Sequence, residues 1–287
     1  MNSNGKHSGL SSLLIAIDGS VYADVAAECS AWLASRVGAR IRALYVIDAR
    51  RLAGHFIRHI SEILEKSPSE GITDRVRDYY RKQGEEALKR AATICEHYRV
   101  TCETDLQTGN VVKVIADAAV NSDLLVIGER GEDKEFETGF LGSVSERLLR
   151  KVNRPVLLTG LEFREFRTAL LAYDGSEGAR GAMKMLARLA VALEMDVDAV
   201  QLVEEGEPTT VLQEVVSYFK DYPVHLSTHY LTGDSHSVII DHAKEIGCDL
   251  MVMGAYENAL ADSLALGTAT DYLVRNSPVP VLVYHSR

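Results

Sequence analysis

The chain repeats itself. LLIAIDGS at 13–20 returns as ALLAYDGS at 169–176, and GSVSERLLRKVNRPVLL at 142–158 returns as GTATDYLVRNSPVPVLV at 267–283. Between these anchors TG at 108–109 answers TG at 232–233, and SDLLVIG at 122–128 answers CDLMVMG at 248–254, so four landmarks keep their order. Self-similarity on this scale marks a duplicated domain. It divides the 287 residues into units of ordinary domain size, 1–160 and 161–287, each able to bury its own core. The offset between copies falls from 156 at Asp18/Asp174 to 124 at Gly109/Gly233, so the second copy lacks 32 residues in its middle. The joint is expected in LEFREF (161–166), where charge replaces an apolar run and little length remains for a free linker.

Each copy reads as α/β. In the first, apolar or alternating runs at 13–17, 40–48, 100–107, 124–128 and 154–160 predict five strands, four of them followed by stretches with helical spacing. Continuously apolar strands separated by helices imply a mainly parallel sheet covered on both faces, and right-handed crossovers leave few topologies. The second copy repeats the scheme near 168–173, 197–203, 224–231, 249–254 and 279–284. Its shortened part lies between the second and third strands. There the first copy carries extra helical sequence over 50–98, broken near Pro68-Ser69-Glu70-Gly71 and so read as two helices. The second copy has room for about one, TTVLQEVVSYFKDY.

Composition narrows the function classes. The formal charge of −10 opposes attraction to a polyanion, so nucleic acid is not an expected partner. No apolar run approaches the ~20 residues of a membrane helix, and no charged-then-apolar segment opens the chain; a soluble, cytoplasmic protein is expected. Cys29, Cys95, Cys102 and Cys248 show no close metal-type pairing and read as small buried side chains.

The sharpest local feature is Gly128-Glu129-Arg130-Gly131, followed by ten residues and then Gly142-Ser143-Val144-Ser145. One turn ends a strand and the other opens a helix, both at the carboxyl edge where open α/β sheets bind ligands. Glycines let main-chain N–H groups approach an anion, and the helix start adds unpaired donors and a favourable dipole. The alternative is structural: Gly131 turns the chain, and Ser143 with Glu146 makes a capping box.

With these residues in view, the chain resembles a tandem universal stress protein over about Leu13 to Tyr284. The resemblance implies two Rossmann-like domains of the adenine nucleotide alpha hydrolase type, each with parallel strand order 3-2-1-4-5. It implies ATP, ADP or AMP as ligand, with Mg2+ held through the phosphates, and a glycine motif G-x2-G-x9-G-[ST]. Carried over by position, the cofactor-binding residues are Asp18, Val46, Gly128, Arg130, Gly131, Gly142, Ser143, Val144 and Ser145. The first copy has ten residues where the motif has nine, and a loop can absorb one more. The resemblance also implies fifth-strand pairing, which is common across dimers of the family. Here RPVLL and VPVLV lie in one chain, so an internal pairing is expected, with a homodimer of the whole chain also compatible.

The second copy keeps the nine-residue spacing but reads Gly254-Ala255-Tyr256-Glu257 before Gly267-Thr268. A carboxylate beside a polyphosphate costs affinity, and a Cβ there is strained if the position needs a positive φ. This second site, comprising Asp174, Leu202, Gly254, Glu257, Gly267 and Thr268, is expected to be weak or lost; Asp174-Gly175-Ser176 also reads as a plain turn and helix N-cap. Other candidates are weaker. His55 and His59 lack a third ligand, and His225 and His229 share a strand face at too great a spacing to chelate. Arg50, Arg51, Arg58 and His59 read as a solvated basic face. No catalytic residue and no side-chain metal set is expected, and no G-x-S-x-G elbow is present. The expected function is a nucleotide-binding stress-response factor acting through an unidentified protein partner. The alternative is a scaffold of the same fold that binds no nucleotide.

Overall fold

The computed structural model describes residues 9–52, 70–131, 141–203, 210–233, 235–255 and 267–285. The first copy runs β1 (Ser12–Ile17), α1 (Val21–Val37), β2 (Arg40–Asp48), a short 3-10 turn (Ala49–Leu52), α2 (Glu70–His97), β3 (Cys102–Gly109), α3 (Val111–Ala119), β4 (Leu124–Gly128), α4 (Ser143–Lys151) and β5 (Val156–Thr159). The second runs β6 (Thr168–Ala172), α5 (Glu177–Leu193), β7 (Asp196–Val203), α6 (Leu212–Phe219), β8 (Leu226–Thr232), α7 (Ser237–Glu245), β9 (Leu250–Gly254), α8 (Thr268–Asn276) and β10 (Val281–Tyr284). The expected break near Pro68 coincides with the start of α2 at Glu70, whereas most of the first expected helix lies outside the described residues.

Sequence chemistry sets the helix ends. Ser20 caps α1 by accepting from the Ala23 N–H at 3.2 Å, and Ser176 caps α5 by accepting from Ala179 at 3.1 Å. Gly38 closes α1 at φ 75°, and its N–H returns to the Ala34 carbonyl.

The strands form one sheet of order β3-β2-β1-β4-β5-β10-β9-β6-β7-β8. Within each copy the pairs are parallel, which gives the order 3-2-1-4-5 twice. At the centre β5 and β10 run antiparallel, with Val156, Leu157 and Leu158 opposite Val283, Leu282 and Val281. The expected internal pairing of the fifth strands is therefore present. Both central leucines are buried, Leu157 at 2% exposure and Leu282 at 1%.

The joint is also packed from the side. Phe163 and Phe166 of LEFREF lie against Trp32 of α1, with ring centroids 5.5 and 5.2 Å away, so an apolar anchor sits inside the charged linker. On the other face Arg275 of α8 reaches Glu146 of α4 at 3.4 Å. The extra helix α2 packs on α1, β2 and β3. Gly84 permits that approach, since a Cβ there would meet the Tyr45 ring at 2.7 Å and Leu106 at 2.8 Å. All four cysteines are free thiols, three of them buried. No helix among the described residues is long and apolar enough to cross a membrane.

The residue that follows β10 is an acid-sensitive group. Burial pushes the His285 imidazole down to about 4. The unfolded chain then binds the extra proton between the ordinary histidine value near ~6.5 and the folded value, so stability is full above that window and falls as pH drops through it. The expected loss is of the order of 2 kcal/mol. Urea unfolding at pH 7 and pH 4.5 checks it: His285→Gln should show a smaller drop between the two than the parent chain.

Candidate functional site

The carboxyl ends of β1, β2 and β4, the first turns of α3 and α4 and Tyr80 of α2 line a cavity of about 210 Å³. All nine residues expected in the first copy line it: Asp18, Val46, Gly128, Arg130, Gly131, Gly142, Ser143, Val144 and Ser145. Topology explains the convergence. Parallel strands bring their carboxyl ends to one edge, and β1 and β4 are neighbours there although over a hundred residues separate them.

The two glycine turns are tied together by the Gly142 N–H, which donates to the Glu129 carbonyl at 2.8 Å, while the Glu129 N–H donates to Thr159 at 2.8 Å. This clamp holds both ends of the intervening loop independently of its length, a physical reason for the ten-residue gap to be tolerated. The glycines serve close packing. A Cβ at Gly128 would lie 2.6 Å from the Tyr22 Cβ, and one at Gly142 would lie 3.1 Å from the Glu129 carbonyl. Gly131 departs from the positive-φ reading: its backbone is outside the left-handed region, and the constraint is Asp18, whose Oδ2 would sit 2.4 Å from an added Cβ.

The capping-box alternative does not form. Gly142 is the N-cap of α4 with no side chain capping the helix, and Ser143 is the first helical residue. Glu146 instead bonds Arg150 and Arg275. The first-turn N–H groups of α4 therefore lack a side-chain cap and face the cavity beside the exposed Ser143. Ser145 is buried, and its hydroxyl donates to the Gly128 carbonyl at 2.8 Å, which leaves its lone pairs as the feature a ligand could meet. Asp18 accepts at Oδ1 from both the Ser20 N–H, 3.0 Å, and the Ser20 hydroxyl, 2.6 Å, so one residue serves the turn and the cavity together.

Several lining residues were not expected. Arg50 and Arg51, read from sequence as part of a solvated basic face, border the cavity, while Arg58 and His59 lie outside the described residues, as does His55. The reason is positional: Arg50 and Arg51 follow directly from the carboxyl end of β2. Arg50 clamps Asp48, Nε to Oδ2 at 2.9 Å, and holds its carboxyl below the usual carboxylate range. Arg51 lies over the Tyr80 ring of α2, 5.4 Å from its centroid. Burial pushes the Glu129 carboxyl up, and neighbouring Arg130 partly opposes the rise. The lining thus holds Arg50, Arg51, Arg130 and Arg147 against Asp18 and Asp48, a locally positive site in a chain of charge −10.

The corresponding place in the second copy is built differently. Asp174 accepts from the Ser176 N–H at 3.0 Å, in keeping with the turn-and-cap reading. Gly254 meets the start of α5, where its Cβ would be 2.3 Å from the Ala179 nitrogen. Leu202 packs, half-buried, against the core; Gly267 precedes α8 as its N-cap, and Thr268 is exposed. Glu257 and Tyr256 lie outside the described residues.

Comparison with known proteins follows the same outline. The universal stress protein family model matches residues 10–160 and 210–285. A universal stress protein of Synechocystis is 24% identical over 290 residues, covering 96% of this chain and 100% of that protein. One from Methanocaldococcus jannaschii is 28% identical over 148 residues, covering 51% of this chain and 79% of the relative. The crystal structure of a universal stress protein from Archaeoglobus fulgidus superposes with a TM-score of 0.77 at 24% identity, covering 96% of this chain and 98% of that one.

Proposed function

The chain belongs to the universal stress protein family as a tandem member, and from that premise we propose that its first domain binds an adenine nucleotide, ATP, ADP or AMP, and that occupancy alters its interaction with a protein partner in the cytoplasm. The observation that carries this reading is the positive cavity at the uncapped start of α4, lined by Asp18 and the glycine turns. At about 210 Å³ the cavity is smaller than the ~300–1,000 Å³ of most ligand pockets. That size suits a ligand whose base and ribose enter while its phosphates lie along the helix start and the arginine-bearing rim. Asp18 and Asp48 are already engaged by Ser20 and Arg50. A magnesium ion would therefore take its oxygens chiefly from the phosphates and water. The same engagement leaves neither carboxylate as a ready general base, so any hydrolysis is expected to be slow and incidental.

Titration calorimetry of the full chain with ATP and with AMP, each with and without magnesium, tests the reading. One nucleotide per chain is expected. Gly142→Val should weaken binding at least ~10-fold, or ~1.4 kcal/mol, more than Gly267→Val does. Equal effects of the two substitutions would remove the first domain as the working site. No uptake at millimolar nucleotide would leave the scaffold reading.

A further inference from the structure

A second cluster of polar side chains lies in the second domain, toward the β8 edge of the sheet, remote in sequence from the nucleotide cavity. Asp198 of β7, His229 of β8 and His242 of α7 offer ligand atoms that all lie within 4.8 Å of one another. His229 Nε2 stands 3.1 Å from Asp198 Oδ2, and His242 Nε2 stands 3.1 Å from Oδ1. Each imidazole thus addresses its own carboxylate oxygen, with ring centroids 4.9 Å apart. The cluster is closed on one side and open on the other: the side chains of Asp198 and His242 are 10% and 11% exposed, that of His229 47%.

The first copy is an internal control. Strand register makes Arg42 the counterpart of Asp198 and Asp105 the counterpart of His229, since Leu44 faces Asp105 as Val200 faces His229. Arg42 and Asp105 form an ion pair. The helix over them, α3, has alanine at both positions that can correspond to His242, Ala116 and Ala118. One copy therefore holds a self-neutralising pair, and the other holds three groups of metal-ligating type in the same place. A spare carboxylate acceptor alone would need one donor; the second copy supplies two imidazoles.

We propose that Asp198, His229 and His242 form a site for a zinc-type divalent ion, with the remaining coordination position open to water on the His229 side. With zinc bonds of ~2.0–2.2 Å, ligand atoms around a tetrahedral ion stand about 3.3 Å apart. The 3.1 Å separation of His242 Nε2 from Asp198 Oδ1 is already close to that, whereas His229 Nε2 stands 3.1 Å from the other oxygen, Oδ2. The remaining separations, all within 4.8 Å, close when the half-exposed His229 ring turns toward the oxygen that His242 addresses. Binding uses the Nε2 lone pairs and places the ring hydrogens on Nδ1, whereas the ion-free arrangement needs hydrogens on Nε2 to reach the carboxylate. Two imidazoles and one carboxylate suit zinc, cobalt, nickel or copper and not magnesium or calcium, which prefer oxygen ligands.

The test uses the full chain after chelator treatment, titrated calorimetrically with zinc chloride and, separately, with cobalt chloride followed by visible absorption. One zinc ion per chain is expected. His229→Ala and His242→Gln should each weaken it at least tenfold, and His225→Ala, an exposed histidine just before β8, should leave it unchanged. Cobalt should give the visible bands of a low-coordinate ion in the parent chain, which reports on the site without any variant. Absence of zinc uptake by the folded parent would overturn the proposal and leave two histidines hydrogen-bonded to a buried carboxylate. Uptake equal in the parent and both variants would overturn it equally, by placing the ion elsewhere.

Discussion

Gly131→Glu should abolish measurable nucleotide binding by the full-length chain, with a loss of at least ~100-fold, or about 2.7 kcal/mol. Two effects combine. The new Cβ would fall 2.4 Å from Asp18 Oδ2, a distance the two groups cannot share, so the turn and the aspartate must separate. The new carboxylate adds a like charge both to Asp18 and to the phosphates of the proposed ligand. The substitution copies into the first domain the residue type that stands as Glu257 in the second. Gly131→Ala isolates the steric part and should fall between the parent and the glutamate variant. Calorimetric titration with ATP, alongside circular dichroism to confirm the fold, gives the measurement. Retained binding in Gly131→Glu would mean that Asp18 and the second glycine do not border the ligand.

The second large effect concerns assembly. A fragment of residues 1–160 should dimerise or precipitate at concentrations where the whole chain is stable. Removing the second copy bares the edge of β5, with its three-residue ladder to β10, and the apolar surface around Leu157. It also takes away Phe163 and Phe166, which cover Trp32. An unpaired edge beside bared aromatic surface invites pairing with a second copy. Light scattering on the fragment decides it: a stable monomer would show that β5 does not need a partner strand. In the intact chain Leu282→Ala tests the same junction more gently and should cost about 2–5 kcal/mol in chemical unfolding.

What could be read from the sequence was local in its physics. Apolar runs such as LLVI and the alternation through RIRALYVID placed strands to within two residues, because burial on both faces leaves its pattern in consecutive positions. Ser20 and Ser176 declared their helix starts in the same way. Ser143 did not, since Gly142 took the N-cap place and Glu146 found arginine partners on its own helix and on α8. Tyr80 was invisible as a cavity residue because it arrives on α2, whose approach depends on Gly84 nesting against Tyr45. Arg50 and Arg51 could have been found by asking which residues follow the carboxyl end of β2. The meeting of Asp198, His229 and His242 depends on strand register and helix placement together, and neither is written in the spacing of the histidines.

The antiparallel join of β5 to β10 fixes how the two halves face the surroundings. Strands are parallel within each half and reversed across the join, so the two carboxyl edges point to opposite ends of the molecule. A ligand seated at Asp18 and anything held near Asp174 are thus back to back and cannot touch or compete for one opening. A surface that presents the first pocket therefore hides the second, and the halves are joined across the seam by the β5–β10 ladder, the packing of Phe163 and Phe166 on Trp32, and the Arg275–Glu146 ion pair. Duplication has given this chain two faces at opposite edges of one sheet, free to diverge because neither stands in the other's way.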